Sequence, residues 1–373
     1  MRFQDLVGQS QAIQTIQETI ANDRLAHAML LTGPAGVGQL AFANAIAQYA
    51  NCLDPKDGDS CGTCSNCLKI AKVVHPDVNF ILPIISKTSG GKRYLTGDFI
   101  EDFRELYRED PYASFGAWQR KLGGESKQLF ISVHEIRELK RGIYLKAFEA
   151  PYKVLIVWRA ELINQEGANA FLKLLEEPPD RTLLILTCSD PSRLLTTINS
   201  RVQRIQLSRI DPPEIAGYLT RQGTPGVQAR EVAAIAEGSI GQAREFLSES
   251  NQQLTQLYMD WLRAIYLGDY QKIQDQSRKV FQESKEFQKL FVQLSIQKIR
   301  DAMLYHLKMP QLALATEEEK QFLEKFSPFV SPEKAEKMIQ HLEDGYRHLS
   351  GNVHPPMIFT TLSLRLHGIL RSA

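Results

Sequence analysis

The stretch LLTGPAGVGQLAFANAIAQYA, Leu30 to Ala50, constrains the fold more than any other part of the chain. An apolar run ends in a glycine loop. A segment with Leu40, Ala43, Ile46, Ala47 and Ala50 on one face then follows. That order reads as buried strand, loop and amphipathic helix. It is the setting of a phosphate-binding loop, G-x-x-x-x-G-K-[ST]. Gly33, Gly36 and Gly38 fit, but Gln39 and Leu40 stand where the lysine and the hydroxyl residue belong. In a working loop the lysine reaches the β- and γ-phosphates and the hydroxyl holds Mg²⁺. Gln39 carries no charge, and Leu40 has no oxygen to offer a metal.

Phosphate-loop ATPases take a second Mg²⁺ group, an Asp, from a neighbouring core strand. The run VLIVWRAEL puts Trp158 and Arg159 at that place. Tryptophan cannot coordinate a metal, and arginine repels one. Losses at two separated places predict that the chain has no functional ATP site and hydrolyses no nucleotide. The backbone loop leaves room for weak nucleotide binding. The other reading is that this loop was never a nucleotide site.

The rest of the chain gives the loop its context. AHAMLLTG, DVNFILPI, YKVLIVW and RTLLILTCS read as buried strands. QSQAIQTIQETIAND, SVHEIRELKRGIYLKAF and NQEGANAFLKLLEE read as helices, the last stopped by Pro178 and Pro179. Alternating strands and helices predict a parallel α/β sheet with both faces covered. Residues 84–128 break the pattern with glycine pairs and many charges. They are expected to form an insertion on the sheet's periphery, with one short helix near Asp98–Arg108. After about Leu207 no clear strand run appears. Short helices over 208–250 predict a small lid, and 251–373 an all-α domain carrying the stripe Leu254, Leu257, Trp261, Leu262, Ile265. The expected domains are therefore 1–207, 208–250 and 251–373.

A chain of 373 residues with 44 basic and 43 acidic side chains has a formal charge of +1. That balance argues against a surface built to coat nucleic acid, though not against a local basic patch. With no apolar signal core and no run of 18 apolar residues, no membrane span is expected, and the reading is cytoplasmic.

Of five cysteines, four fall in NCLDPKDGDSCGTCSNCLKI as Cys52-x8-Cys61-x2-Cys64-x2-Cys67. This spacing suits four thiolates around structural Zn²⁺, with no open position for catalysis. An iron–sulfur cluster and a metal-free cluster are the alternatives. Cys188, alone in a strand, reads as a buried thiol. Glu176 and Glu177 end a helix and read as surface residues rather than an acid–base pair. His75 and His134 are not needed as ligands beside four cysteines.

Together these residues resemble the clamp-loader subunits of the AAA+ class, and among them the delta-prime type of bacterial DNA polymerase III. FQDLVGQSQAIQTIQ, LAHAMLLTGPAGVGQ, the cysteine cluster after the loop helix, HPDVNFI, ANAFLKLLEEPP and TTINSRVQRIQL are similar to that family's motifs in order. Residues 1–82 and 129–207 carry the likeness well; GSIGQA at Gly238–Ala243 carries it moderately. Val202 departs from the family's S-R-C. The resemblance implies an AAA+ domain with a zinc module near 52–67, a lid, and a collar-type oligomerisation domain. It implies a ring-like hetero-pentamer with motor and clamp-opening subunits that loads a sliding clamp on primed DNA. This chain would be its non-hydrolysing member, and Arg201, after Ser200, would act in trans on a neighbour's ATP. An active gamma/tau-like motor with an unusual loop, and a zinc-dependent nucleic-acid-binding protein, are the competing readings. For Arg201 the plain alternative is a local salt bridge.

Overall fold

The computed structural model describes residues 1–373 apart from 23, 86–87, 90–91, 124–128, 145, 248–249, 284, 314, 316, 352 and 373. Parts of the 84–128 insertion thus lie outside the described residues. Two compact units are present: Met1–Tyr218 with Gly238–Gln242, and Leu219–Glu237 with Ala243–Ala373. Their border runs inside the 208–250 segment read as a lid.

In the first unit the strands are β1 Ala28–Thr32, β2 Val78–Ile81, β3 Ile84–Ile85, β4 Thr88–Ser89, β5 Lys92–Arg93, β6 Leu129–Phe130, β7 Lys153–Val157, β8 Thr182–Cys188 and β9 Gln203–Gln206. Five of them form a sheet in the order β2-β7-β8-β1-β9, and every pair is parallel. All four strands expected from apolar runs are in it. The fifth, β9, was not legible, because as an edge strand it exposes Gln203, Arg204 and Gln206 and buries Ile205 alone. Two antiparallel pairs, β3 with β6 and β4 with β5, lie in or beside the insertion.

Alternation along the strands sends successive side chains to opposite faces. Met29, Leu31, Val154, Ile156, Leu183 and Ile185 join one core. Ala28, Leu30, Leu155, Val157, Leu184 and Leu186 join the other. The first core is covered by helices α1 Ser10–Ala21, α2 Gln39–Ala50 and α3 Ser65–Ala71. It is also covered by α4 Ile100–Glu109 and α5 Phe115–Lys121, both from the insertion. The second is covered by α6 Val133–Ile143, α7 Gln165–Glu176 and α8 Thr196–Asn199.

The insertion is therefore not peripheral. Phe103 and Trp118 are fully buried in the first core, together with Tyr107. The expected helix near Asp98–Arg108 is α4; α5 was missed because seven residues with two aromatics show no clear period. Where the sheet side meets the post-cysteine segment, Asp77 accepts three backbone N–H groups, from Phe148 (2.7 Å), Glu149 (2.8 Å) and Ala150 (3.0 Å). Its neighbour His75 is buried, with Nε2 3.5 Å from a Glu149 carboxylate oxygen.

After α9 Pro212–Arg221, the described residues are helical or in loops: α10 Gly226–Ile235, α11 Ile240–Leu247, α12 Ser250–Leu267, α13 Tyr270–Phe281, α14 Lys285–His306, α15 Glu317–Phe326, α16 Pro332–Ser350 and α17 Pro355–Arg371. In the second unit Trp261 lies edge-on to Phe291 (5.2 Å), and its indole N–H donates to the Ser363 hydroxyl at 2.9 Å. The stripe that includes Leu254, Trp261, Leu262 and Ile265 is thus core. Among the described residues no helix is long and apolar enough to cross a membrane.

Candidate functional site

The glycine loop joins β1 to α2 as expected, at the carboxyl end of the sheet where α/β folds place their ligands. The Gly33 N–H donates to the Cys188 carbonyl at the end of β8 (3.3 Å). Gly36 and Gly38 have φ of +80° and +96°, a region side chains rarely enter. Gln39 does not reach outward. Its amide nitrogen donates to the loop's own carbonyls, Gly33 O at 2.8 Å and Pro34 O at 2.7 Å. Leu40 is buried.

Trp158 and Arg159 follow directly on β7. Trp158 is buried in a ring of insertion aromatics, with centroids 5.9 Å from Phe103, 6.1 Å from Phe115 and 6.3 Å from Trp118. Arg159 adopts a left-handed conformation at φ 61°. Its guanidinium lies 4.8 Å above the Phe115 ring, and its Nε sits 2.9 Å from Oε1 of Glu161. The Glu161 side chain is wholly buried and also accepts the Ser189 N–H at 3.0 Å. Ser189 ties the two predicted places together: its hydroxyl is 3.5 Å from the Gln39 amide nitrogen and 3.3 Å from an Arg159 guanidinium nitrogen. The Glu161 carboxylate is thus paired with an arginine of the same chain.

The glycines lie close to what covers them. A methyl group on Gly38 would come within 2.5 Å of the Tyr112 ring, and one on Gly36 within 2.2 Å of the Ser239 hydroxyl. The Gly241 N–H donates to the Gly36 carbonyl at 3.1 Å. At this loop Gln39 and Leu40 offer no cation and no metal-binding oxygen, and Tyr112, Ser239 and Gly241 pack against its glycines.

Arg201 lies on the turn after α8, with its side chain 37% exposed. Its Nε and terminal nitrogen contact Oε1 of Glu176, each at 2.7 Å. The other terminal nitrogen donates to the Thr197 carbonyl (3.0 Å) and the Ser200 hydroxyl (3.1 Å). Ser200 in turn donates to the Thr197 carbonyl at 3.2 Å.

The four cysteines converge. The Sγ atoms of Cys52, Cys61, Cys64 and Cys67 all lie within 4.8 Å of one another. Cys61 and Cys67 are 3.9 Å apart, near the roughly 3.8 Å edge of a tetrahedron with ~2.3 Å Zn–S bonds. Backbone N–H groups point at three sulfurs: Cys61 to Cys52 (3.2 Å), Cys64 to Cys61 (3.3 Å) and Cys67 to Cys64 (3.5 Å). Donors from Thr63 and Cys64 hold the Cys61 thiol down at about 6, whereas burial pushes Cys52 and Cys67 up. The cluster can hold a tetrahedral metal ion. Cys188 stands apart in β8, and burial raises its thiol to about 12.

Residues 8–211, just over half of the chain, match the family described as DNA polymerase III, delta subunit. The chain belongs to that family. This bears out the resemblance to clamp-loader subunits of DNA polymerase III. The tau/gamma subunit of Haemophilus influenzae is similar at 24% identity over 93% of this chain, and the delta' subunit of Bacillus subtilis at 26% over 67%. The chain spans 47% of the first relative's length and 64% of the second's. A gamma subunit-related protein from Thermotoga maritima overlaps 96% of the chain and all of its own length, loosely, with a TM-score of 0.36 at 16% identity.

The sequence singles out the loop, the Trp158–Arg159 pair, the cysteines and Arg201 as candidates. It does not mark Tyr112, Glu161 or Ser189. Glu161 follows Arg159 by two residues, a spacing that marks no ion pair in advance. Tyr112 lies in a segment of the insertion that no periodicity marks.

Proposed function

We propose that this chain is a non-hydrolysing, delta-prime-like member of a DNA polymerase III clamp loader. One observation carries the reading. The Gln39 amide is turned onto Gly33 and Pro34 where a lysine would meet phosphate, while Arg159 closes on Glu161 where a metal would sit. A site without cation or metal ligands cannot neutralise the charge of phosphoryl transfer. The chain's own chemistry would lie in Arg201, offered in trans to the ATP of a neighbouring motor subunit. An arginine placed there is worth roughly 10³–10⁵ in rate in the best-studied cases. Its pairing with Glu176 is solvent-exposed, and exposed ion pairs hold by only about 0–1 kcal/mol, so a stronger anion can draw the guanidinium away. Ser200 and Thr197 would aim it.

Zinc on Cys52, Cys61, Cys64 and Cys67 would be structural, fixing the module after α2. Motor and clamp-opening subunits, the sliding clamp and primed DNA are the proposed partners, and the division into lid (208–250) and collar (251–373) belongs to the same proposal. The similarity to tau/gamma subunits favours one alternative, an active motor. An ATPase assay separates the two. The lone chain should show no turnover, and a loader reconstituted with intact motor subunits should lose most of its turnover when Arg201 becomes Ala. Turnover by the lone chain, lost on changing Gln39, would establish the motor reading instead.

A further inference from the structure

We propose that the 84–128 insertion supplies a built-in occupant for the glycine loop: Tyr112 stands where a nucleotide would have to approach, and the loop is held shut by its own chain. The inference rests on reading Gly33–Leu40 as a phosphate-loop scaffold. It goes beyond the absence of hydrolysis, because it removes binding as well.

A phosphate reaches such a loop by coming onto the backbone N–H groups at the start of the helix. That approach crosses Gly38, whose missing side chain normally leaves the space open. Here the space is taken. The Tyr112 ring lies against Gly38 so closely that a Cβ there would sit 2.5 Å from its Cε1 atom. The ring is itself nearly inaccessible, at 3% exposure. Its hydroxyl accepts the Val7 N–H at 2.9 Å, and its edge meets Tyr218 at 5.4 Å between centroids.

The ring is held by a built turn. The Asp110 carboxylate accepts the Tyr112 N–H at 2.9 Å, and its carbonyl accepts the Ala113 N–H at 3.0 Å. Ser114 then caps α5 through the Ala117 N–H at 3.0 Å. The same short segment also closes the metal side, since Phe115 underlies Arg159 and borders Trp158. A second wall, Ser239 and Gly241, closes over Gly36. A tethered occupant acts at high effective concentration and needs no ligand in solution. The loop therefore keeps one conformation whether or not nucleotide is present.

The test uses the full chain, with ADP and ATP as probes, titrated against a fluorescent ADP analogue. The unchanged chain should show no saturable binding up to about 1 mM. Tyr112→Ala, checked for fold by circular dichroism, should bind ADP at least about tenfold more tightly, because removing the occupant raises the binding-competent fraction. Tyr112→Phe keeps the ring and should stay blind to ADP. Saturable binding by the unchanged chain, or a folded Tyr112→Ala no better than the unchanged chain, overturns the inference. Should Tyr112→Ala fail to fold, amide exchange of residues 36–42 in the unchanged chain decides. No change with ADP is the expected result, and protection overturns it. Binding by the unchanged chain without turnover defeats this inference alone; turnover by the lone chain defeats the proposed function.

Discussion

Arg201 and Glu176 form an ion pair at 2.7 Å across the gap between the turn after α8 and the end of α7, with 37% and 48% of their side chains exposed. The arginine singled out for action on a partner and the glutamate read as a surface residue are thus each other's contact. An exposed pair adds little to stability. Arg201→Ala should shift the unfolding free energy by less than about 1 kcal/mol while lowering the ATPase of the reconstituted loader by about 10³-fold. Glu176→Gln, which frees the guanidinium, should leave that ATPase intact. A loss with Glu176→Gln as deep as with Arg201→Ala would move the function to the carboxylate.

The cysteine cluster predicts about one zinc per chain on elemental analysis of protein never exposed to chelator. Cys67 is fully buried, so Cys67→Ser should remove the metal and cost about 3 kcal/mol or more in denaturant unfolding. Retention of full stability after the metal is stripped would reduce the cluster to buried thiols.

What was legible in the sequence follows from where the signal lies. The inner strands β1, β7 and β8 announce themselves as apolar runs, and the edge strand β2 still buries Val78, Phe80 and Ile81, so all four and the loop after β1 could be read directly. The other edge strand, β9, could not, because its one buried residue leaves no run to see. The cysteines were legible because ligand spacing is local. The Gln39 fold-back and the Arg159–Glu161 pair are short-range, but which way a side chain turns leaves no pattern in the sequence; the Tyr112 contact is set by which distant segment the fold brings alongside. Gly38 and Tyr112 are 74 positions apart and meet only because α4 and α5 pack on the first core.

Asp77 gives the chain an acid-sensitive clamp. Burial opposes its charge, but the N–H groups of Glu149, Phe148 and Ala150 and the neighbouring His75 outweigh burial, so its carboxyl sits below the ordinary 3.8. A depressed carboxyl contributes stability above 3.8 that is lost as pH falls through that value toward the folded one. Burial also lowers His75 below its ordinary 6.5, despite Glu149 and Asp77 nearby. The unfolded chain then takes up the imidazole proton first, and stability falls with pH below 6.5 in the same sense. Lys69 also faces the Glu149 carboxylate, at 2.6 Å. Asp77→Asn should cost about 1–3 kcal/mol at neutral pH and flatten the fall below 3.8, leaving the His75 part. An unchanged acid limb in urea unfolding at stepped pH would exclude the clamp.

Gly38 offers a direct measure of how tightly the loop is filled. Its φ of +96° strains any side chain, and the Tyr112 ring lies 2.5 Å from where a Cβ would be. Gly38→Ala should therefore cost about 2–4 kcal/mol from backbone strain and overpacking together. The two parts separate in a double-mutant cycle with Tyr112→Ala. The strain stays when the ring is removed, whereas the overpacking goes. The coupling should be about 1–2 kcal/mol, with the double variant less damaged than the sum of the singles. Strict additivity would mean that the ring does not press on the loop in solution, and that Gly38 is required there for its backbone conformation alone.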